Sequence, residues 1–248
     1  HKMNIYKIPI LKRLIPSLIR RYKILFNPII KNFEIDNLKI DLDIRESLER
    51  KIYFEKKYEE ERLIYLIQKI KTHQLNIFID VGANIGLYSL RVAKNIPNIN
   101  QVISFEPLLE TFNKLKKNII KNNLEKKIDI YNYGLSAQSK KLFGLLRKEG
   151  SLKHAAGFNI HEEGKIKLTV KKFDDIYKFD KQKIAIKCDI EGHELEAFKG
   201  MSELLSNNSC FLQIEIWEQN LDELSNYLEK KGYKFVKKII GEYYFQNF

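Results

Sequence analysis

The chain of 248 residues contains only two cysteines, Cys188 and Cys210, and no apolar run that approaches the length of a membrane span. Two thiols inside apolar, strand-like segments supply neither a disulfide framework nor a metal-binding cluster. A bilayer span needs roughly 20 apolar residues in succession, and no segment with the pattern of a signal peptide opens the sequence. These absences predict a protein of the reducing cytoplasm.

Acidic residues are absent before Glu34, although the whole chain has a formal net charge of +12. Residues 1–35 are called the basic arm here, because cations are interleaved with apolar residues along them. The cations are Lys2, Lys7, Lys12, Arg13, Arg20, Arg21, Lys23 and Lys31. Pro9, Pro16 and Pro28 predict short helical pieces rather than one long helix. We expect the arm to pack its apolar stripe on the main domain or on a second copy; docking on an anionic membrane surface and RNA binding are the alternatives.

Internal repeats and low-complexity linkers are also lacking, so the sequence predicts one catalytic domain, residues 76–248, preceded by a helical cap, residues 36–75. In the cap, residues 37–44 alternate like a strand and residues 47–70 have helical spacing. After the cap, strands and helices alternate as βαβαβ, which implies a parallel sheet with right-handed crossovers. Residues 134–175 interrupt this rhythm and predict a β-rich insertion. The last two strands predict an antiparallel hairpin at the sheet edge.

An apolar strand, a glycine-containing turn and an amphipathic helix follow one another in FIDVGANIGLYSL, residues 78–90. Asp80 ends the strand, and Gly82 and Gly86 allow the backbone to approach a ligand closely. The helix that follows offers its unpaired N–H groups to such a ligand. The next strand, QVISF, ends at Glu106, whose carboxylate can accept both hydroxyls of a ribose. The pattern predicts a nucleotide-binding cradle.

The turn lacks two of the three glycines of a dinucleotide fingerprint, because Asn84 and Leu87 stand in their places. NAD is therefore disfavoured. S-adenosylmethionine carries no phosphate, only a sulfonium, a carboxylate and an ammonium, so the acidic Asp80 suits it and would repel a pyrophosphate. The predicted cofactor-binding residues are Asp80, Gly82, Ala83, Asn84, Gly86, Glu106 and Pro107.

A second polar motif, IKCDIEGHELEAFKGM, spans residues 186–201. Its polar residues surround the carboxyl end of one strand, the edge at which open α/β sheets bind ligands. These residues are Lys187, Asp189, Glu191, His193 and Glu194. We expect a helix over 191–205 that Glu191 begins, where one carboxylate could simply cap the helix. Glu215 lies at the corresponding end of the next strand, where a buried carboxylate needs a partner.

The two motifs, the SFEP segment between them and the upstream IYFEKKYEEE together resemble the FkbM family of S-adenosylmethionine-dependent O-methyltransferases. The similarity extends over about residues 41–233. It implies a Rossmann-like class I methyltransferase fold, with a seven-stranded, mostly parallel sheet and helices on both faces. It also implies methyl transfer to a hydroxyl, often on a sugar or a polyketide. Cys188 departs from the aliphatic residue more usual there, which a strand tolerates because cysteine is a small apolar side chain.

For the chemistry, we expect Asp189 or His193 to accept the proton of the hydroxyl, with Glu191 orienting this base. Lys187 is expected to hold substrate oxygens or to set the charges of the carboxylates. In a rival mechanism Asp189 and Glu215 hold Mg²⁺, although no metal is favoured. The expected substrate is a sugar or nucleotide-activated sugar. An RNA methyltransferase and a non-catalytic docking module on the same fold are the alternatives. The sequence has neither an Asn/Asp-Pro-Pro-Tyr/Phe motif nor a Pro-Cys nucleophile, which disfavours nucleic acid as the substrate.

Overall fold

The computed structural model describes residues 9–146, 158–160 and 166–248 of the chain. Its first elements are listed in chain order: α1 (Pro9–Phe26), β1 (Ile29–Ile35) and β2 (Leu38–Asp43). Strands β1 and β2 form an antiparallel hairpin. The alternating pattern of residues 37–44 predicts β2, whereas β1 lies inside the predicted arm and was not expected.

The prediction of short helical pieces in the basic arm is wrong, because α1 runs unbroken for 18 residues. Pro9 occupies the first helical position, where a backbone N–H would have no helical partner in any case. Pro16 removes a single donor from the interior, and the hydrogen-bonded turns on either side carry the helix through it. Among the apolar residues of the arm that the structure describes, Ile24 is partly buried, whereas Leu18, Ile19, Leu25 and Phe26 are exposed to solvent. These four side chains do not pack on the main domain, and packing on a second copy stays a prediction.

The cap continues with α2 (Ser47–Glu55) and α3 (Glu60–His73), where the sequence predicts one helix over 47–70. The helix is interrupted because Lys56 and Glu59 adopt left-handed conformations, with φ of 52° and 47°. The N–H of Lys56 closes α2 by donating back to the last turn of that helix. The connection between α2 and α3 is thereby held in one conformation.

The predicted βαβαβ unit is confirmed. It consists of β3 (Ile77–Val81), α4 (Leu87–Asn95), β4 (Gln101–Phe105), α5 (Leu109–Lys121) and β5 (Ile128–Tyr131). The three strands pair in parallel, with β4 between β3 and β5. This arrangement brings the carboxyl ends of β3 and β4 side by side.

A buried arginine fastens the cap to this unit. Arg91 on α4 is 1% exposed and forms ion pairs with Asp36 and, at 3.3 Å, with Glu60. Its guanidinium also donates to the carbonyl oxygen of Tyr58 at 2.9 Å. Because Tyr58 lies in the connection between α2 and α3, Arg91 fixes this connection against the sheet.

The predicted β-rich insertion over 134–175 is confirmed for its described residues; residues 147–157 and 161–165 lie outside them. Its strands are β6 (Gly134–Leu135), β7 (Lys140–Leu146), β8 (Phe158–Ile160) and β9 (Ile166–Lys171). They form a separate four-stranded sheet in the order β6-β9-β7-β8, followed by a short 3-10 helix, Phe173–Asp175.

The rest of the chain completes the main sheet. The elements are β10 (Lys183–Cys188), α6 (Glu194–Gly200), α7 (Ser202–Asn207), β11 (Ser209–Glu215), a 3-10 helix (Glu218–Asn220), α8 (Leu221–Lys230), β12 (Lys234–Ile239) and β13 (Glu242–Gln246). The order of the seven strands is β12-β13-β11-β10-β3-β4-β5, and the predicted antiparallel hairpin forms one edge. The single helix expected over 191–205 is two helices and begins at Glu194.

Apolar residues alternate along the central strands and divide between two cores. In β3, Phe78 belongs to the core that contains residues of α3, α4 and α5. Its neighbours Ile77 and Ile79 belong to the core that contains residues of α6, α7 and α8. Successive side chains of a strand point to opposite faces, so helices cover both faces of the sheet. The predicted Rossmann-like class I architecture is confirmed.

Candidate functional site

The carboxyl ends of β3, β4, β10 and β11 surround a cavity of about 240 Å³, called the central cavity here. The ends of β3 and β4 form its first edge, and the ends of β10 and β11 form its second edge. Ten of the twelve predicted site residues line it: Asp80, Gly82, Ala83, Asn84, Glu106, Pro107, Lys187, Asp189, Glu191 and Glu215. Gly86 and His193 are not part of this lining. Both sequence motifs therefore meet at one place, and the individual roles of their residues stay predictions.

Asp80 lies at the first edge and is 1% exposed. The hydroxyl of Ser89 donates to its Oδ2 at 2.5 Å, and the hydroxyls of Ser89 and Ser104 lie 2.7 Å apart. Burial raises the pKa of Asp80, and the nearby charge of Lys187 opposes this rise. Its other oxygen, Oδ1, is buried and has no hydrogen-bond partner among the described residues. A buried acceptor without a partner at a cavity wall is suited to a donor or cation from a ligand.

Glu106, also at the first edge, is 6% exposed. Its two carboxylate oxygens accept backbone N–H groups, from Asn84 at 3.0 Å and from Leu108 at 2.9 Å. Burial raises the pKa of Glu106 to about 7, and these two hydrogen bonds act in the opposite direction. The carboxyl group is therefore locked in one orientation, with the second lone pair of each oxygen still available to a ligand.

The two glycines of the turn are required mainly by the protein's own packing. A Cβ on Gly82, whose φ is +82°, would lie 2.0 Å from the carbonyl oxygen of Asp189. A Cβ on Gly86, whose φ is +92°, would lie 2.4 Å from Leu115 Cδ1. Gly82 thus allows the first and second edges to touch, and Gly86 allows α4 to begin against α5. The expectation that both glycines admit a ligand is corrected for Gly86, which faces the protein interior.

A lysine and two carboxyl groups form the second edge. Lys187 is 3% exposed, and its Nζ lies 3.1 Å from Asp189 Oδ2 and 4.9 Å from the ring centroid of Tyr88. Burial disfavours the charged form of Lys187 and acts to lower its pKa. The nearby acidic groups, with Asp189 and Asp80 the largest contributors, together raise this pKa well above the usual value. The group is a permanent cation in the wall of the cavity.

Asp189 and Glu215 are hydrogen-bonded to each other and divide one proton unequally. Burial acts to raise the pKa of Asp189, but the charge of Lys187 and the hydrogen bonds from Glu215 and Lys187 together outweigh it, so this pKa is lowered. Burial and then the charge of Asp189 raise the pKa of Glu215 to about 9. At neutral pH the pair therefore consists of an ionised Asp189 and a protonated Glu215.

Glu191 adds a third carboxylate to the second edge. Carboxylate oxygens of Asp189, Glu191 and Glu215 lie within 4.8 Å of one another, a spacing that could hold a divalent cation. Glu191 has φ of 57°, so it lies in a left-handed turn and does not begin the helix as expected. Glu194, the first residue of α6, fixes the turn before the helix, because its Oε1 accepts the N–H groups of Ile190 at 3.1 Å and Gly192 at 3.0 Å. Glu191 therefore lines the cavity and is not part of the helix.

His193 lies in a neighbouring cavity of about 670 Å³, called the outer cavity here. The walls of the outer cavity come from the insertion and from the polypeptide after β10 and β11. They comprise Pro107, Gly134, Leu135, Lys140, Leu142, Leu168, Val170, Ile190, Glu191, Gly192, His193, Trp217, Gln219 and Asn220. The Nε2 of His193 lies 3.0 Å from the hydroxyl of Ser136, and burial lowers the pKa of the imidazole. The two cavities share Pro107, Ile190 and Glu191, so they adjoin.

Sequence reasoning missed the contribution of the cap to the site. Tyr58 and Glu59, from the connection between α2 and α3, line the central cavity together with Leu48 and Tyr88. The phenol of Tyr88 donates to Glu59 at 2.9 Å. The segment IYFEKKYEEE contains two of these residues, but nothing in its pattern shows that they reach the sheet.

A buried polar network beneath the second edge was also missed. Glu242 is fully buried and accepts from Arg62 at 3.2 Å, while burial raises its pKa to about 7. Gln213, also fully buried, donates to the phenol oxygen of Tyr88 at 3.1 Å. The signal was present in the sequence, because LQIE and EYYF place polar residues at alternate positions of strands that are otherwise apolar.

The fold and the site define a class I methyltransferase. The family model described as "Methyltransferase FkbM domain" matches residues 80–235. The chain belongs to the FkbM methyltransferase family, and it is a methyltransferase. The resemblance stated from the sequence motifs is confirmed.

Two curated methyltransferases are similar to this chain. Methyltransferase sdnD of Sordaria araneosa is 26% identical over 192 residues, which cover 64% of this chain and 74% of that protein. Hexuronic acid methyltransferase AglP of Haloferax volcanii is 29% identical over 144 residues, or 57% of this chain and 56% of AglP. The chain therefore matches little more than half the length of AglP.

Among solved structures, the methyltransferase FkbM from Methylobacillus flagellatus KT superposes with a TM-score of 0.50 and 20% identity, covering 69% of this chain and 43% of that one. TYW2 of P. horikoshii, in complex with MeSAdo, gives a TM-score of 0.50 and 13% identity, covering 89% of this chain and 70% of that one. At these identities the likeness concerns the fold.

Proposed function

We propose that this protein transfers a methyl group from S-adenosylmethionine to a hydroxyl of a sugar, in a nucleotide-activated precursor or in a unit of a surface polysaccharide. The observation that carries the proposal is the hydrogen-bonded pair of Asp189 and Glu215 facing the same cavity as Asp80 and Glu106. A proton-accepting group thus adjoins a cradle for an adenosine cofactor. The similarity to AglP, which is named a hexuronic acid methyltransferase, supports a sugar as the acceptor.

The residues of the first edge fit S-adenosylmethionine. The unpaired Oδ1 of Asp80 would accept from its ammonium, and the carboxylate of Glu106 would accept the ribose hydroxyls. Asn84 and Leu108 hold Glu106 in place for this purpose through their N–H groups. When bound, the cofactor supplies an electrophilic methyl group on a sulfonium.

At the second edge, Asp189 is the proton acceptor. Lys187 keeps its carboxylate ionised at neutral pH, so it is ready to take the proton of a hydroxyl as that oxygen becomes a nucleophile. Glu215 remains protonated and donates a hydrogen bond that orients Asp189. The main contribution of the protein is to hold the hydroxyl oxygen in line for transfer, which a fixed carboxylate beside a buried cation can do.

The outer cavity is the binding site for the acceptor. Pro107, Ile190 and Glu191 line both cavities, so a hydroxyl presented from the outer cavity lies next to the second edge. A sugar has apolar ring faces and polar rims, and this cavity combines the aromatic Trp217 and aliphatic side chains with Asn220 and Gln219. His193 lies in this cavity and is the alternative proton acceptor.

The test is the transfer of isotope-labelled methyl from S-adenosylmethionine to a panel of nucleotide-activated hexoses, heptoses and hexuronic acids, read by mass spectrometry. Label on a sugar oxygen, lost in Asp189→Asn, is the expected result. Binding of S-adenosylmethionine without label on any sugar would contradict the proposal and direct the search to RNA, the alternative acceptor. A parallel reaction with chelator separates the two mechanisms, because loss of activity would make Asp189, Glu191 and Glu215 ligands of a metal ion.

A further inference from the structure

The basic arm carries an unpartnered apolar face. Within residues 17–26 of its helix α1, whose side chains the structure describes, the large apolar side chains that are exposed are Leu18 (61%), Ile19 (50%), Tyr22 (63%), Leu25 (72%) and Phe26 (72%). With 3.6 residues per turn, these positions fall on one side of the helix. Five large apolar side chains exposed together on one face are unusual for a surface that meets only water.

The opposite side of α1 is the one that contacts the body of the protein. The Nζ of Lys23 donates to the hydroxyl of Tyr53 at 2.7 Å, and the guanidinium of Arg20 lies 4.6 Å from the ring centroid of Phe54. Ile24, on the same side of the helix as Arg20, is partly buried. The helix is therefore attached to the cap through its polar side and presents its apolar face outward.

The positive charge of the arm indicates which kind of surface covers the apolar face of α1. Arg21 flanks one border of the apolar face, and no acidic residue precedes Glu34. A second copy of this chain would bring two cationic arms together within a protein of net charge +12. The headgroups of an anionic bilayer supply the opposite charge, and its acyl region accepts the apolar face.

We propose that α1 docks this protein on the surface of an anionic lipid bilayer, with Leu18, Tyr22, Leu25 and Phe26 inserted below the headgroups. The helix lies on the membrane rather than across it, because no helix in the described ranges is both long and apolar enough to span a bilayer. This inference is independent of the acceptor, since it uses no residue of either cavity.

Co-sedimentation of the full chain with vesicles tests the proposal. We expect binding to vesicles of phosphatidylglycerol and phosphatidylcholine, weak binding to phosphatidylcholine alone, and a decrease as salt is raised. The triple variant Leu18→Ser, Leu25→Ser, Phe26→Ser should bind anionic vesicles at least about tenfold more weakly. Ile64→Ser is the matched control, because Ile64 on α3 is 61% exposed and lies outside the arm.

Charge is tested separately with Arg21→Gln, for which the exposed Lys126→Gln is the control. Only the arm variant should weaken binding to anionic vesicles. The proposal is overturned if the wild-type chain does not bind, binds neutral and anionic vesicles equally, or loses no binding in the triple variant. Dimerisation in analytical ultracentrifugation that the triple variant abolishes, without vesicle binding, would instead make the face an interface between two copies.

Discussion

The carboxyl groups at the first edge of the central cavity and those at the second edge differ in what holds them. Asp80 and Glu106 accept hydrogen bonds from a hydroxyl and from backbone N–H groups, which the local fold places and which do not titrate. Asp189 and Glu215 are instead hydrogen-bonded to each other, and the cation of Lys187 pairs with Asp189. The carboxyl groups of the first edge are therefore oriented by donors that keep their protons, whereas those of the second edge share a proton with each other.

The largest effect is expected from Asp189→Asn, which removes the ionised carboxylate of the second edge. Turnover should fall by about 100-fold or more, the usual contribution of a positioned base, while the affinity for S-adenosylmethionine stays nearly unchanged. Initial rates and isothermal titration calorimetry measure the two quantities. Glu196→Gln, at an exposed acid of α6, is the control. Unchanged turnover would remove Asp189 from the chemistry and make His193→Ala the next variant.

Gly82→Ala should break the contact between the two edges. The added Cβ would lie 2.0 Å from the carbonyl oxygen of Asp189, so the backbone at one of the two residues must shift. An alanine at a φ of +82° is also strained. We expect a loss of about 2 to 4 kcal/mol in the free energy of unfolding. Gly232→Ala is the control, since its φ is +84° and nothing lies within 4 Å. It should cost only about 1 to 2 kcal/mol. Equal costs in urea unfolding would show that the contact contributes nothing.

Glu106→Ala tests the first edge alone. Removing this carboxylate should weaken binding of S-adenosylmethionine by about 1.5 to 3 kcal/mol, the value of hydrogen bonds to a charged group. Calorimetric titration measures it, with Glu110→Ala on the exposed start of α5 as the control. An affinity equal to that of the wild type would reject the assignment of Glu106 to the ribose.

The smallest effect concerns the network below the second edge. Burial raises the pKa of Glu242 from 4.5 to about 7. The folded state therefore holds this proton more tightly than the unfolded chain, and the resulting stabilisation is complete below about pH 4.5 and lost as the pH rises through 7. Between pH 5 and 8 the wild type should lose on the order of 2 kcal/mol more stability than Glu242→Gln. Urea unfolding at both pH values checks this, and a parallel decline in both proteins would contradict it.

The sequence was sufficient for the parts of the fold that depend on local pattern. Strand β4 is the segment QVISF that the sequence pattern predicts, and the two polar motifs meet because parallel strands end at one edge. The start of the helix after β10 was harder to predict. Glu191 and Glu194 have the same side chain three residues apart, and the left-handed turn at Glu191 places the first helical residue at Glu194.

Contacts between distant segments could not be predicted. Glu59 reaches the cavity through long-range contacts, from Arg91 to the carbonyl oxygen of Tyr58 and from Tyr88 to Glu59 itself, which no pattern in the segment reveals. His193 lies close to Asp189 in the sequence, yet the turn between them directs it into the outer cavity. The outward orientation of the apolar face of α1 could not be predicted either, because it depends on which side of the helix contacts the cap.

The separate sheet of the insertion has an evolutionary consequence. Strands β6, β7 and β9 contribute Leu135, Leu142, Leu168 and Val170 to the outer cavity, yet they hydrogen-bond among themselves rather than to the seven-stranded sheet. Substitutions in the insertion can therefore reshape this wall while the first edge of the central cavity keeps its hydrogen bonds. On the proposed function, in which the outer cavity binds the acceptor and the first edge binds the cofactor, a lineage or a directed-evolution library would explore new acceptors one side chain at a time without first losing the cofactor.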